Sequence, residues 1–379
     1  MNNQKHRKIS YDCQFYLGDR PCVFHKKDGV VCECENYVPI KGNILIIKLD
    51  AMGDVLRTTC LLPVIRKYYT EMSITWITRK ESVPLLETNP YIHEIVQYGP
   101  DAIVHLSART FDLMINLDAG KISSSLGTMT QAKKKFGYVL NPAGYVTGTN
   151  EAAVEWLKMG IFDDLKRANQ RTYQDIMCSI IELSLDGMMY ILELTDEEKE
   201  KGCSHLQELG LDLKKKIIGI HTGGGGRWIH KQWTEEGFIG LIRELYKEMV
   251  NDVQILLFGG PLERERNKRI LSEVGCKVYD AGCDNEVRHF AALVNKCSVM
   301  ISADSLAMHI ALAMGCRVVV LFGPTSHAEI ELFGFGEKVI PDKDCLVCYK
   351  LVCDCKPNCM ESITIDMVKQ AILRQLSLS

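Results

Sequence analysis

"ILIIKLDAMGDVLRTT", residues 44–59, contains a strand, a turn and the start of a helix, in that order. The apolar run 44–47 is typical of a buried parallel strand, and beyond the turn apolar side chains recur at helical spacing. Between the two segments lie Asp50, Gly53 and Asp54. Because open α/β sheets bind ligands beyond the carboxyl ends of their strands, two carboxylates at this turn predict a functional edge.

The same alternation of strands and helices continues along the chain and predicts an α/β fold with two doubly wound halves. The halves are expected to join near residues 185–215 and to enclose a ligand-binding cleft. Segment 120–170 has weak periodicity and yields no clear elements. Strands are predicted at 73–78, 92–98, 111–117, 216–221, 253–258, 298–301 and 317–322, and helices at 54–69, 171–185, 195–209, 234–249, 262–274, 286–295, 305–314 and 363–376.

These elements suggest four regions of the chain. They are a cysteine-rich extension (1–42), an N-terminal doubly wound domain (43–200), a C-terminal doubly wound domain (201–340), and a cysteine-rich tail with a closing helix (341–379).

Composition narrows the classes of partner. The chain has 379 residues, is 46% hydrophobic and carries a formal net charge of -3, which argues against a nucleic-acid partner. No apolar run approaches the roughly 20 residues of a membrane span, so at most peripheral membrane contact is expected. The first residues lack the apolar core of a secretory signal, and we expect a cytoplasmic protein. The sequence leaves the oligomeric state open.

The turn at 50–54 has two interpretations. Asp54 could simply cap the helix that follows, with Asp50 as a solvated loop residue. Alternatively, Asp54 is a general base at the cleft, able to take a proton from an attacking hydroxyl. Asp50 would then position Asp54 or raise its pKa through like-charge proximity.

A glycine-rich loop, "HTGGGGRWIHKQW" at 221–233, follows the first predicted strand of the second half. Gly223 and Gly224 can present backbone N–H groups to an anion, and Arg227 and Lys231 add positive charge. The spacing is neither the dinucleotide fingerprint nor a Walker A loop. Phosphate binding is favoured over a flexible, solvated turn.

Two further strand ends carry polar residues. In "LLFGGPLERER", 256–266, Glu263 could bind ribose hydroxyls or could merely complement a helix N-terminus. In the segment 298–325, Asp304 suits sugar hydroxyls, and the helix that begins at Ser305 and Leu306 points backbone donors at the cleft. His309, one turn later, is expected to play a supporting role, since a lone helix histidine is more often structural.

These four motifs, in this order, resemble glycosyltransferase family nine, the bacterial heptosyltransferases. The segments that carry the resemblance are "IIKLDAMGDVLRTTCLLPVIRKYY", "GRWIHKQW", "GGPLERE" and "SADSLAMHIALAMGCRVVVLFGPT". The resemblance implies a GT-B fold with two Rossmann-like domains, of which residues 43–200 would bind the acceptor and residues 201–340 the nucleotide-sugar. The active site would lie between the domains, and transfer would be inverting and need no catalytic metal. It also implies roles for single residues. Asp54 would be the base, and Asp304 would hold the hydroxyls of the donor sugar. Glu263 would bind the donor ribose, and the diphosphate would be bound by Lys231, Ser305 and Leu306. The family commonly has Thr-Gly where this chain has Ser305-Leu306.

The expected function is the transfer of a sugar from a nucleoside-diphosphate donor to an acceptor hydroxyl. The sugar is expected to be a heptose, and the donor is expected to be ADP-linked. The acceptor could belong to a cell-surface glycan, a lipopolysaccharide core or a protein. One alternative is a GT-B sugar-nucleotide epimerase or hydrolase, and another is a metal-stapled, non-catalytic binding protein. The family contacts anionic acceptors near "QAKKKFGY", so the acceptor-binding residues are predicted to be Arg57, Lys133, Lys134 and Lys135, although a solvated basic loop fits equally well.

The chain has sixteen cysteines, and nine of them crowd its two ends. In a reducing compartment this crowding indicates a structural metal, zinc or iron, more than disulfides. Some relatives bind iron through cysteines of the C-terminal half. One shared site, two separate sites and free thiols are alternatives; a closing helix that crossed back to the first half would permit a shared site. The candidate ligands are Cys13, Cys22, Cys32, Cys34, Cys345, Cys348, Cys353, Cys355 and Cys359.

Overall fold

A computed structural model describes residues 8–184, 187, 189–226 and 229–379. The N-terminal domain contains β1 (Gly42–Ile47), β2 (Met72–Thr78), β3 (Glu94–Gln97), β4 (Thr110–Asn116), β5 (Gln131–Leu140) and β6 (Val146–Gly148). Its helices are α2 (Met52–Thr58), α3 (Leu61–Tyr68), α4 (Val83–Leu86), α5 (Pro100–Ser107), α6 (Lys121–Met129), α7 (Glu151–Ile161), α8 (Asp163–Ala168) and α9 (Tyr173–Ile180), and α1 (Val23–Asp28) lies in the extension before them.

The C-terminal domain contains β7 (Lys216–His221), β8 (Val253–Phe258), β9 (Tyr279–Asp280), β10 (Val299–Ala303), β11 (Arg317–Leu321) and β12 (Gly336–Val339). Its helices are α10 (Asp196–Glu208), α11 (Glu235–Met249), α12 (Arg264–Glu273), α13 (Val287–Val294), α14 (Leu306–Ala313) and α15 (Ile365–Ser377). Short 3₁₀ turns occupy Lys80–Ser82, Ile229–Lys231 and Pro261–Glu263.

Both sheets have the same doubly wound topology. The first runs β3-β2-β1-β4-β5-β6 and the second β9-β8-β7-β10-β11-β12. Neighbouring strands pair in parallel, except for the antiparallel pair β5–β6. In each sheet the order reverses beside the first strand, which places the loops after β1 and β7 at the point where such sheets bind ligands.

The predicted elements are found, with three differences. The predicted helix 171–185 ends at Ile180, as α9. The predicted helix 54–69 is interrupted at Thr59 and Cys60, between α2 and α3. The unreadable segment 120–170 forms α6, β5, β6, α7 and α8. The buried face of α6 includes Ser123, Ser124 and Gly127, and these small residues give no hydrophobic period. Residue 185, the end of one predicted helix, lies outside the described residues.

The predicted domain boundary between residues 200 and 201 falls inside α10. A capping box starts this helix, because Glu198 accepts a hydrogen bond from Thr195 N–H at 2.8 Å. The helix packs on α13, and Gly202 permits close contact with Ala292. A boundary before α10 would keep this helix intact and on the same domain as α13.

The closing helix α15 stays on the C-terminal domain. It packs against α11, β11 and β12, and buries Val368, Ile372 and Leu376 in their core. The Trp233 indole N–H donates to the Ile363 carbonyl just before the helix, at 3.0 Å. The crossing that a shared cysteine site would need is therefore not made by this helix.

The two domains touch through helices. α2 packs on α14, and α4 packs on α13. From α13, Arg288 donates to the Pro84 carbonyl at 2.9 Å and pairs with Glu198. These contacts hold the carboxyl edges of the two sheets on either side of a cleft. Within the described ranges, no helix has the length and apolar character needed to cross a membrane.

Candidate active site

Asp54 lies in the first turn of α2, beside the end of β1. Its carboxylate pairs with Arg57 at 2.8 Å and accepts a long hydrogen bond from the Ala51 N–H at 3.4 Å. Burial opposes its ionisation, but Arg57, Lys48 and His309 outweigh burial and lower its pKa to about 2. With this pKa the carboxylate is ionised at neutral pH, and 37% of the side chain is exposed.

Arg57, one helical turn after Asp54, pairs with this carboxylate. Its guanidinium lies 3.7 Å from the centre of the Tyr173 ring and is only 11% exposed. Among the described residues its Nε has no hydrogen-bond partner. The residue predicted to bind the acceptor thus also orients the candidate base.

Asp50 has a different partner from the one expected. Arg79 Nε donates to both of its carboxylate oxygens, at 2.8 and 2.9 Å. The charges that shift the pKa of Asp54 come from other residues, and the net shift is downward. The prediction that Asp50 raises the pKa of Asp54 is therefore wrong.

A buried ion pair between Lys48 and Asp118 supports the loop after β1. Asp118 also accepts hydrogen bonds from the N–H groups of Leu49 and Asp50, and Lys48 donates to the Asp50 carbonyl at 2.8 Å. Although burial disfavours its charge, Asp118 raises the pKa of Lys48. Sequence reasoning missed this pair, although both residues stand where apolar strands end.

Gly53 lies against the other domain. A Cβ at this position would lie 3.0 Å from His309 Cδ2, on α14 of the other domain. The absence of a side chain at Gly53 therefore leaves room for this histidine. His309 is buried against Tyr190, and burial and Arg57 lower its pKa to about 4. Within the described part of the chain its Nδ1 lacks a hydrogen-bond partner.

On the C-terminal side, Lys231 and Asp304 form an ion pair with a distance of 3.1 Å. The Thr325 hydroxyl donates to the same Asp304 oxygen at 2.8 Å. Burial opposes ionisation of Asp304, but Lys231 and His309 outweigh it and lower the pKa. The lysine and the aspartate predicted for the donor are thus neighbours, from elements 73 positions apart in the sequence.

The glycine loop lies against Glu263. A Cβ on Gly223 would lie 2.6 Å from the Glu263 carboxyl carbon, and a Cβ on Gly224 would lie 3.0 Å from Lys231 Cβ. Glu263 is buried and accepts the Gly260 N–H at 2.9 Å. Glu263 therefore caps the start of a helical turn, in line with the alternative interpretation that it complements a helix N-terminus. Arg227 lies outside the described residues.

Ser305 and Leu306 begin α14, with Ser305 as N-cap. The Ser305 side chain bonds to Ser302 at 2.9 Å rather than to the first helical turn. The first N–H groups of the helix are thus left for another acceptor, as a helix N-terminus requires.

Lys133, Lys134 and Lys135 lie away from the cleft. Lys133 pairs with Asp112 at 2.6 Å, and Asp112 accepts the Asn43 N–H at the amino end of β1. Lys134 and Lys135 bond to the Glu182 carboxylate and to carbonyls at the end of α6, respectively. They occupy the first half of β5, at the end of the sheet opposite its carboxyl edge, and their role in acceptor binding stays a prediction that this position does not favour.

Two cavities adjoin the candidate site. One, of about 320 Å³, lies at the carboxyl edge of the first sheet and is lined by Asp50, Arg79, Asp118 and Lys121. The other, of about 900 Å³, lies between the domains, from Met52 and α4 to α13. Sequence reasoning did not single out Arg79 or Lys121, which no motif marks.

Glu329 is a further buried carboxyl group near the site. Burial raises its pKa, and the charges of Arg57, Asp304 and Asp54 all act on it. Its backbone carbonyl accepts the Tyr173 N–H at 2.9 Å, which joins the domains. No motif predicted this residue.

All sixteen cysteines are free thiols. The pKa of the Cys359 thiol is raised to about 11, mainly by burial. The neighbouring thiols also raise it, so they lie close to Cys359; they are Cys348, Cys345 and Cys353. Cys355 is exposed. As the side chains stand, no group of three or more His, Cys, Asp or Glu in the described part of the chain is placed to hold a metal ion.

Comparison with known proteins identifies relatives of the chain. The sequence profile described as glycosyltransferase family 9 (heptosyltransferase) matches residues 103–357. Lipopolysaccharide heptosyltransferase 2 of Salmonella typhimurium is 27% identical over 145 residues, which are 36% of this chain and only 38% of that protein. Lipopolysaccharide core heptosyltransferase OpsX of Haemophilus influenzae is 22% identical over 300 residues, 74% of this chain and 78% of that protein.

Solved structures agree on the fold. A family 9 glycosyl transferase from Veillonella parvula has a TM-score of 0.71 at 20% identity, covering 90% of this chain and 98% of that one. The dodecameric, iron-containing heptosyltransferase TibC of E. coli, in complex with ADP-D-β-D-heptose, has a TM-score of 0.55 at 11% identity, covering 89% and 77%. The predicted GT-B fold is confirmed. With the family profile matching more than half of its length, the chain belongs to glycosyltransferase family 9, the heptosyltransferase family.

Proposed function

We propose that the protein is an inverting heptosyltransferase that moves a heptose from an ADP-linked donor to an acceptor hydroxyl. One observation carries the proposal. The negative charges of Asp54, on the first domain, and of Asp304, on the second, both influence the pKa of buried His309, so the two carboxylates lie near each other. A base and a donor-sugar carboxylate on opposite walls of one cleft are what a direct displacement requires. TibC, with the same fold, was solved with ADP-heptose.

In this mechanism Asp54 accepts the proton of the acceptor hydroxyl as its oxygen attacks the anomeric carbon. The bond from that carbon to the diphosphate breaks on the opposite face, and the charge moves to the departing ADP. Lys231, the glycine-loop N–H groups and the start of α14 would stabilise that charge. Glu263 would accept hydrogen bonds from the ribose hydroxyls.

The 320 Å³ cavity supports an acceptor with an anionic group. Lys121 begins α6, and the exposed positive charge lies beside the free N–H groups of that helix N-terminus. Arg79 lines the same cavity. A phosphorylated or acidic glycan, a lipopolysaccharide core or a protein hydroxyl are the acceptor classes to compare.

The test combines donor turnover with a matched variant. Purified protein is incubated with ADP-heptose, with and without each acceptor class, and ADP release and product mass are followed. We expect ADP release that depends on an acceptor. Acceptor-independent release would instead favour an epimerase or hydrolase, and no release with any acceptor would favour a binding protein.

Asp54→Asn should lower kcat about 10²–10⁴-fold, the usual contribution of a general base. Its affinity for ADP, measured by calorimetry, should stay within about twofold of wild type. Asp101→Asn, which removes a carboxylate from the first turn of α5, is the control and should retain full activity. Wild-type turnover by Asp54→Asn would contradict the assignment of the base.

A structural metal at Cys345, Cys348, Cys353 and Cys359 is part of the proposal, supported by the proximity of these thiols to Cys359. Four thiolates suit zinc or iron. The bound ion would fix the loop 345–359, which contacts the residues on either side of Thr325, the hydrogen-bond partner of Asp304. Within that loop Tyr349 N–H donates to the Pro324 carbonyl at 2.9 Å, and the Tyr349 hydroxyl accepts the Ser326 N–H at 2.9 Å.

Elemental analysis and ADP calorimetry test this metal together. Cys345→Ser/Cys348→Ser should lose about one equivalent of zinc or iron per chain and should bind ADP more weakly. Cys203→Ser, a half-buried cysteine of α10, is the control. Unchanged metal content in the double variant would refute the site.

A further inference from the structure

The N-terminal extension is folded without a hydrophobic core. Of residues 8–41, Ser10 alone is buried, whereas large apolar side chains such as Tyr11, Leu17 and Val23 are exposed. A unit of this size cannot bury enough apolar surface to offset its conformational entropy, and such units usually rely on disulfides or metals. The cysteines of this segment are free thiols.

Despite this, the backbone of the extension has a defined path. Gln14 N–H donates to the Val38 carbonyl at 2.8 Å, and Ile40 N–H donates to the Asp12 carbonyl at 2.6 Å. These bonds bring the two ends of the extension together, around α1. Lys41 then joins the extension to the N-terminal domain through the Glu71 carbonyl and carboxylate.

The enclosed space is a cavity of about 260 Å³. All of its lining residues belong to segment 9–37, and they include every cysteine of the extension together with His25. The cysteines of this wall are Cys13, Cys22, Cys32 and Cys34. Four cysteines that line one cavity, from positions spread over 22 residues of chain, supply soft ligands of the number that a tetrahedral ion takes.

Two hydrogen bonds orient this wall in the manner of a metal site. The His25 backbone N–H donates to Cys22 Sγ at 3.4 Å, which would stabilise a thiolate. The His25 ring Nδ1 lies 2.6 Å from the Val30 carbonyl, and a carbonyl only accepts, so Nδ1 carries the hydrogen. The ring is thereby fixed against the cavity, as histidines in and beside metal sites are.

We propose that Cys13, Cys22, Cys32 and Cys34 bind one thiophilic metal ion, zinc or iron, which is the core that the extension otherwise lacks. As they stand, the thiols are not gathered closely enough to hold an ion. Binding would draw the four sulfur atoms inward, to about 2.3 Å from the ion in the case of zinc. The extension is then a separate metal-stapled module, distinct from the C-terminal cysteine group around Cys359.

The experiment uses the full chain. Zinc and iron are measured per chain by mass spectrometry in wild type and in the variant Cys13→Ser/Cys22→Ser/Cys32→Ser/Cys34→Ser. The variant should contain about one equivalent less of one of the two metals, and which metal is lost identifies the ion. Cys203→Ser/Cys276→Ser, which changes two half-buried cysteines outside both groups, should match wild type. Equal metal content in the quadruple variant and wild type overturns the proposal.

Limited proteolysis supplies a second readout. α1 carries Lys26 and Lys27, both exposed, as trypsin sites. With the metal bound, cleavage there should be at least tenfold slower than in the quadruple variant or in chelator-treated wild type. Adding the metal back should restore protection to wild type only, and a failure to do so would count against the proposal. Neither readout depends on sugar transfer, so this inference and the proposed function can fail independently.

Discussion

The ion pair between Arg57 and Asp54 allows the sharpest test of the candidate base. The proposed change is Arg57→Met, which keeps much of the side-chain length but removes the charge 2.8 Å from the carboxylate. Burial raises the pKa of Asp54, and Arg57 is the largest of the charges that lower it to about 2. Without Arg57, burial is opposed mainly by Lys48 and His309, and the pKa must rise.

The expected size follows from the geometry. An opposite charge within about 4–6 Å lowers the pKa of a carboxyl group by about 1–3 units, so its removal should raise the pKa of Asp54 from about 2 to roughly 3–5. A base is active only when ionised. In wild type Asp54 is therefore protonated only as the pH falls through about 2, whereas in the variant protonation begins at a higher pH.

The assay is the pH dependence of kcat/KM for ADP-heptose, which reports groups of the free enzyme. Wild type should show no acidic limb due to Asp54 above pH ~4, and Arg57→Met should show one displaced upward by about 1–3 units. Arg109→Met, which breaks an ion pair with Glu94 away from the cleft, is the control and should behave as wild type. Circular dichroism at each pH separates titration from unfolding. An acidic limb in the folded variant at the wild-type position would refute the reasoning.

Three further predictions concern stability and donor binding. Lys48→Met leaves Asp118 buried without its partner and should lower the free energy of unfolding in urea by about 3–5 kcal/mol. Lys48→Met/Asp118→Asn should recover part of this loss, because Asn removes the unpaired charge but keeps an acceptor for the Leu49 and Asp50 N–H groups. Gly137→Ala should lower the free energy of unfolding, measured by calorimetry, by more than about 3 kcal/mol, because φ is +94° and the new Cβ would lie 1.7 Å from a backbone oxygen of β4. Gly144→Ala is the control. Its φ is +82° but the space around it is open, so it should cost only about 1 kcal/mol. Lys231→Met should weaken ADP binding in calorimetry about 10- to 100-fold, the value of one charged hydrogen bond, and an unchanged Kd would remove Lys231 from the donor site.

Local patterns in the sequence predicted most of the fold. Apolar runs such as 44–47 are readable as buried strands because both faces of a parallel sheet are covered. The motif residues Asp54, Glu263 and Asp304 each follow such a strand, and the carboxyl ends of parallel strands share an edge. Where the packed residues are small, as on α6, the hydrophobic period vanishes and so did the prediction.

What the sequence by itself determined is therefore the two doubly wound halves and the edge on which the motif residues stand. Tertiary structure alone decided their partners: Arg79 for Asp50, Asp118 for Lys48, and His309 beside Gly53. It also moved the basic stretch 133–135 to the far end of its sheet and separated the terminal cysteines into two groups. The physical reason is that pKa values, ion pairs and cavities depend on distances between segments far apart in the chain, and no local pattern encodes those distances.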